Sequence, residues 1–299
     1  MKGLREIKSR IKAVKSTGQI THAMQLVAAS KMKRAQQAAE RGRPYSMLLL
    51  DLLDTIEIAG GTDITHPLFD ENRPPNKRLI IVFSTDKGLA GPLNTNLFKT
   101  ILDMPKDISF IVVGEKCAKF LARMQRNVVA SFRISDNVKF SEIKPVAQLA
   151  LERYLSGESD TIEVLYSEYV NTLKQVPTCI KLAPATELKS CVEHMRQTFK
   201  LDAHKPSEDA REFSFEPSIA EILEELPSFY IKNAIYHMAL DAKASEQSSR
   251  MVAMKSASDN ADRLLAELSL EFNKARQNAI TTEIIELASG AAAQEQGEG

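Results

Sequence analysis

Arg276, Gln277 and Thr281 fall within about a turn and a half of helix in the stretch KARQNAIT, residues 274–281. A guanidinium holds a carboxylate through two parallel hydrogen bonds, and an amide and a hydroxyl add directional partners beside it. The chemistry is that of a catch, three groups that grip another protein and release it. The plain alternative is an exposed polar turn. Ile280, Ile284, Ile285 and Leu287 stand on several faces of the turns that follow. An apolar helix end of this kind aggregates unless something sheathes it, so the residues point to a covering partner protein.

Other residues with chemical capacity give weaker signals. VFSTDKGLAGPLN, residues 82–94, follows an apolar strand and precedes a helical pattern, where a phosphate loop would sit. It has Gly88 and Gly91 but neither G-x-G-x-x-G nor a G-K-[ST] ending, so a tight strand-to-helix turn is the expected role. The histidines 22, 66, 194, 204 and 237 are scattered without metal spacing, and no nucleophile–base pair emerges. Cys117, Cys179 and Cys191 read as reduced thiols. No catalytic residue, cofactor or metal is expected. The cluster Glu221, Glu224 and Glu225 reads as a solvated face.

Charge narrows the partners. The formal net charge is zero, which excludes a global basic field for nucleic acid. Residues 1–43 nevertheless carry eleven Lys or Arg against Glu6 and Glu40, a local charge of +9. This arm has no aromatic residue between Met1 and Pro44 to stack on bases. A mitochondrial transit peptide is also basic and acid-poor, but the helical pattern runs on past Met24 unbroken, so the arm reads as mature structure. It would suit a helix turning inside an acidic protein sleeve, against the plainer reading of a solvated face. No apolar run approaches the ~20 residues of a membrane span.

The elements that must position these residues fall into three segments: 1–57, 58–209 and 210–299. In the first, Leu4, Ile7, Ile11 and Val14 recur at helical spacing, and Ile20, Met24 and Val27 continue the apolar stripe. Pro44 should kink this helix and Gly60-Gly61 end it. In the middle, apolar runs at 78–84, 107–114, 128–132, 161–170 and 178–183 alternate with helical patterns at 94–103, 115–125 and 141–155. That alternation predicts a doubly wound, mainly parallel, Rossmann-like α/β domain. Residues 196–217 read as an irregular connection.

In the last segment, 62 residues between Pro227 and Gly290 contain neither Gly nor Pro. Ile231, Ile235, Met238, Ala242, Ser245, Ser249, Val252 and Ser256 alternate at four and three. After a phase shift near Asp259, Ala261, Leu265, Leu268, Phe272, Ala275, Ala279 and Thr282 resume the pattern. A 3.5-residue period is a left-handed coiled-coil seam, here rich in Ala and Ser. The fold class expected is therefore α/β: a long antiparallel two-helix coiled coil of the N- and C-terminal segments, plus the central domain. The longer C-terminal helix should overhang its partner, with residues 280–290 as the overhang.

The residues also resemble a known family. ITHAMQLVAASKMKRAQ (20–36), STDKGLAGPLNTNLF (84–98) and NKARQNAITTEIIELASGAAA (273–293) are similar, in order, to the gamma subunit of the rotary ATP synthase. Within the last stretch Ile280, Thr281, Glu283, Glu286, Gly290 and Ala291 fall in the family pattern, whereas Ala90-Gly91-Pro92 stands where the family often has Cys-Gly-Gly. The resemblance implies a central shaft inside a hexamer of alpha and beta subunits, bound below to the epsilon subunit and a ring of membrane c subunits, with delta a further subunit of the complex. It implies ATP synthesis driven by proton flow, reversible as hydrolysis, with the active sites on beta. It makes Arg276, Gln277 and Thr281 a catch against beta, with Met24 facing the same region and Ile280, Ile284 and Leu287 as the bearing. The protein would lie on the cytoplasmic side of a bacterial membrane, held only through the c-ring. It shows no inserted cysteine pair of the chloroplast kind, which argues against thiol regulation. The competing readings are a coiled-coil scaffold or adaptor and a nucleotide-binding enzyme using the 82–94 loop.

Overall fold

The computed structural model describes residues 2–60, 68, 76–184 and 219–295, without the side chains of 2, 43, 46, 47, 50–60, 219–224 and 290–295. The connection expected at 196–217, the boundary expected after residue 209, His66, His194, His204 and Cys191 lie outside the described residues. The order of elements is α1 (Lys2–Gly60), β1 (Arg78–Phe83), α2 (Leu93–Leu102), β2 (Ser109–Val113), α3 (Glu115–Arg123), β3 (Asn127–Phe132), α4 (Phe140–Leu155), β4 (Thr161–Tyr169), β5 (Gln175–Ala183) and α5 (Ile219–Glu295). The chain forms two compact units: Met1–Val27 with Met251–Gly299, and Ala28–Arg250.

In the first unit the ends of α1 and α5 pair. The positions of α1 withdrawn from solvent are Leu4, Ile7, Ile11, Val14, Gly18, Thr21, Met24 and Gln25. All but Met24 follow the alternating spacing of three and four that defines a heptad seam. On α5 the matching positions are Met254, Ser258, Ala261, Leu265, Leu268, Phe272, Ala275 and Ala279. Gly18 lies so close to α5 that a Cβ there would stand 3.3 Å from the Cβ of Ala261. Around Gly18 the seam narrows to Gly, Ala, Ser and Thr, which lets the two backbones approach there, while toward the helix ends larger side chains such as Leu4, Ile7, Leu268 and Phe272 fill it.

Two sequence expectations change here. Ile20 and Val27 are more than half exposed, and the seam passes instead through Gly18, Thr21 and Gln25. On α5, Ser256 and Thr282 are exposed, and burial shifts to Met254 and Ser258, so the change of phase comes before Met254 rather than near Asp259.

In the second unit a five-stranded sheet has the order β3-β2-β1-β4-β5. β1 pairs in parallel with β2 and β4, and β2 with β3. β5 runs antiparallel along β4 at one edge. The continuous apolar run of β1 is explained by burial on both faces. Ile80 and Val82 pack with Leu97 and Ile101 of α2 and Cys117 and Leu121 of α3. Leu79, Ile81 and Phe83 pack on the other side with Ile143, Val146 and Ala150 of α4 and Tyr230, Ile231 and Ile235 of α5. Helices therefore cover both faces, as in a doubly wound sheet. Gly114, between β2 and α3, has φ +112°, and a Cβ there would strike the backbone of Ser84. Only glycine allows the β1 and β2 ends to approach in this way.

The long helices also meet in this unit. The Gly42 backbone of α1 lies against the buried ring of His237, with Nε2 2.9 Å from where a Cβ would be. Lys31 of α1 pairs with Asp136 in the β3–α4 connection at 2.6 Å. Both α1 at Pro44 and α5 at Pro227 continue as helix through the proline. α1 ends at Gly60, as expected.

Candidate functional site

The residue numbers of opposed positions on α1 and α5 add to 279, both for Gly18 with Ala261 and for Gly42 with His237. One antiparallel register therefore serves in each unit. It sets Leu4 level with Ala275 and Lys2 level with Gln277. Among the described residues, α5 has no α1 residue opposite it from Ala279 onward. Burial follows the same limit, because Ala279 is the last half-buried position and every described side chain from Ile280 to Ser289 is exposed. The residues left over, 280–295, extend for about 24 Å of helix.

The structure places Arg276, Gln277 and Thr281 together on this end, all exposed. Thr281 Oγ1 donates to the Gln277 carbonyl at 2.9 Å, and Thr282 Oγ1 to that of Asn278 at 3.0 Å. These hydroxyls are held by their own helix, yet their oxygen lone pairs remain open to a donor. Among the described residues, Arg276 and Gln277 make no side-chain hydrogen bond or ion pair. Around them Ile280, Ile284 and Leu287 are 48%, 60% and 70% exposed. Met24 is not brought to this group. By the register it stands level with Lys255, about 30 Å of helix before Arg276. It belongs instead with exposed Ile20 and Val27 on the rim of α1.

The loop after β1 is closed on itself. Asn94 Nδ2 donates to Thr85 Oγ1 at 2.7 Å, and Thr85 Oγ1 in turn donates to the Lys87 carbonyl at 2.7 Å. The backbone N–H of Glu115 donates to Asp86 at 3.0 Å. The cavity bounded by Thr85, Asn94, Lys243 and Glu246 is ≈ 10 Å³, room for about one water and none for a phosphate.

The reason lies in a feature the sequence reading missed. In an open α/β sheet, ligands bind beyond the carboxyl ends of the parallel strands, where the strand order reverses. Here α5 lies across those ends. Ser249 Oγ donates to the Ala90 carbonyl after β1 at 2.7 Å. Ser248 Oγ donates to the Thr172 carbonyl after β4 at 2.9 Å. Asp241 accepts from the Tyr169 N–H at 3.0 Å. Gln247 reaches Asp136 after β3 at 3.5 Å. Glu246 is buried between Lys243 and Arg250, each at 2.9 Å. Ser249 had read as a small seam residue; it faces the β1 loop. The polar run EQSSR at 246–250 was the available signal, since a helix segment this polar stays buried only where the fold supplies it with partners.

Two groups show how firmly charge is fixed in the sheet. Burial opposes ionisation of Glu163, but Arg78 grips its carboxylate at 2.8 and 2.6 Å and holds it below the ordinary range. Burial alone pushes the Cys117 thiol up to about 12, so it is inert at neutral pH. Glu225 is exposed, while the side chains of Glu221 and Glu224 lie outside the described set. Among the described residues no group of three or more His, Cys, Asp or Glu is placed to hold a metal. None of their helices is long and apolar enough to cross a membrane.

Residues 3–294 match the family model described as ATP synthase. An ATP synthase gamma chain of Opitutus terrae is 46% identical over 289 residues, covering 97% of this chain and 98% of its own. A gamma chain of Methylacidiphilum infernorum is 42% identical over 292 residues, covering 95% and 97%. Among solved structures, a chain in the OSCP/F1/c-ring part of the Euglena gracilis mitochondrial ATP synthase matches with TM-score 0.68 at 17% identity, covering 99% of this chain and 96% of that one. A chain from the central stalk and c-ring of the Tetrahymena thermophila enzyme matches with TM-score 0.56 at 24% identity, covering 80% and 99%. At these identities the structural likeness speaks to the fold.

Proposed function

The chain belongs to the family of ATP synthase gamma chains, and from that membership we propose that it is the central rotor shaft of the complex. The observation that carries the reading is the end of α5: helix beyond the last seam position, apolar on several faces, with Arg276, Gln277 and Thr281 at its base. Hydrophobic contact has no preferred direction, so an apolar end in an apolar collar turns without locking. A few directional contacts then mark discrete stopping angles. In this reading Ile280, Ile284 and Leu287 run in a collar of alpha and beta subunits. Arg276, Gln277 and Thr281 catch a beta subunit, and Met24 with Ile20 and Val27 meets the hexamer at a second level. The α/β unit binds epsilon and the c-ring, with delta elsewhere in the same complex. Proton flow through the ring turns the shaft, and its asymmetry changes the beta sites in sequence. The chain itself holds no active site and is peripheral, on the cytoplasmic side of a bacterial membrane.

The test is Arg276→Ala with Gln277→Ala in the assembled complex. ATP synthesis falls while the variant chain remains folded and incorporated at one copy per hexamer. Unchanged synthesis would remove the catch from the mechanism. A chain that fails to co-purify with the hexamer and instead self-associates would favour a scaffold.

A further inference from the structure

A shaft that carries torque needs a joint where the part being turned grips the helix, and the structure holds a candidate away from the α5 end. Over residues 241–250, α5 is polar yet buried: Lys243, Ser245, Glu246, Gln247, Ser248 and Ser249 are all withdrawn from solvent. Apolar packing alone would resist separation but would leave a helix free to slip about its axis, because such contacts are non-directional. Hydrogen bonds fix an angle. Here Ser249 bonds the β1 loop, Ser248 the β4–β5 turn and Asp241 the end of β4, at 2.7, 2.9 and 3.0 Å. These anchors come from two strand ends and lie within ten residues of one helix. All three partners on the sheet side are backbone groups: the carbonyl of Ala90 in the β1–α2 loop, the carbonyl of Thr172 in the β4–β5 turn, and the N–H of Tyr169 at the end of β4.

We propose that Asp241, Ser248 and Ser249 are positioning residues that lock α5 in rotational register with the α/β fold, so that torque applied to the sheet reaches the helix without slip. The proposal rests on the rotor reading. It assigns the ligand edge of a Rossmann-like sheet a mechanical use, with the chain's own helix as occupant.

Ser245 supplies the control. It is fully buried one turn earlier on the same helix, and its hydroxyl has no hydrogen-bond partner among the described residues. Ser245→Ala therefore removes the same atom from the same helix without removing an anchor. The experiment reconstitutes the complete complex in vesicles with the wild-type chain, Ser245→Ala, or Ser248→Ala with Ser249→Ala. Protons pumped per ATP hydrolysed are measured against increasing opposing gradients, well below the unfolding temperature. The double variant loses coupling by about two-fold or more, the scale on which loss of one hydrogen bond shifts a local equilibrium, and the loss grows with load. Ser245→Ala matches wild type. A double variant that couples like Ser245→Ala at every load overturns the lock while leaving the rotor reading intact. A wild-type chain that supports no pumping overturns the rotor reading itself. Should the double variant not assemble, Ser249→Ala alone is judged by the same criterion.

Discussion

Three glycines on α1 stand in different surroundings, and the effect of replacing each by alanine should change sign along the helix. Gly→Ala in a helix interior is worth about 1 kcal/mol in favour of folding, through backbone entropy. At Gly3 nothing lies within 4 Å of the new methyl group, so the gain survives, reduced to roughly 0.5 kcal/mol by fraying at the helix end. At Gly18 the methyl would stand 3.3 Å from the Ala261 methyl. That is a few tenths of an ångström inside ordinary contact, and the small overlap cancels the gain to about zero. At Gly42 the methyl would enter the ring of His237, 2.9 Å from Nε2 and nearer still to Cε1. His237 is 2% exposed and has no room to retreat. Overpacking of this kind costs about 3 kcal/mol, which leaves a net loss of about 2 kcal/mol. Hydrogen exchange resolves the effect region by region, which suits a chain of two units better than a single melting point. Amides of α5 around His237 should exchange about 30-fold faster in Gly42→Ala, with Gly3→Ala unchanged or slower. His237→Ala should cost at least about 1 kcal/mol less in the Gly42→Ala background than in wild type, because it removes the obstacle. Equal or greater protection in Gly42→Ala would refute the close approach of Gly42 to His237.

Glu163→Gln tests the sheet charge. Because the folded carboxyl titrates below its ordinary value of about 4.3, its stabilisation is present above that pH and is lost as pH falls through the folded pKa. The variant should be about 1–3 kcal/mol less stable than wild type at pH 7, and the gap should narrow below about pH 4; urea unfolding showing a constant gap would contradict the Arg78 pairing. At the α5 end, Ile284→Ser with Leu287→Ser should leave the isolated chain within about 0.5 kcal/mol of wild type while weakening its incorporation into the hexamer. A loss of stability in the isolated chain would show that these side chains are buried within it.

The strands and the doubly wound character were legible because β1, with Leu79 to Phe83 buried on both faces, can be so apolar only in the middle of a covered sheet. The α5 seam after Ala261 was equally legible, since Leu265, Leu268 and Phe272 are both large and inward. The α1 seam was legible only over Leu4, Ile7, Ile11 and Val14, not beyond. Reading for large apolar residues led to Ile20 and Val27, whereas the helices meet through Gly18, Thr21, Gln25, Ala28 and Ala35. Close approach excludes large side chains from the contact, so hydrophobicity and burial part company there. That Met24 lies at a different level from Arg276 was hidden for a related reason: a stripe on one helix carries no register until a contact such as Gly18 against Ala261 sets it.

A loop such as 84–92 at the switch of strand order invites a ligand because the flanking loops diverge and leave a crevice. In this fold the crevice is filled, and the filling segment is the polar one, Lys243 to Arg250. Had that segment been apolar, the loop carbonyls of Ala90 and Thr172 would lack the hydroxyls that now satisfy them, at a desolvation cost of about 1–3 kcal/mol each. The polarity of α5 here and its apolarity at Ile280–Leu287 are thus two answers to one question, what the helix must face. Against its own sheet it faces fixed carbonyls and carries hydroxyls to meet them. Past Ala279 no described α1 residue lies opposite it, and the apolar surface it presents is suited to a partner that need not hold one angle.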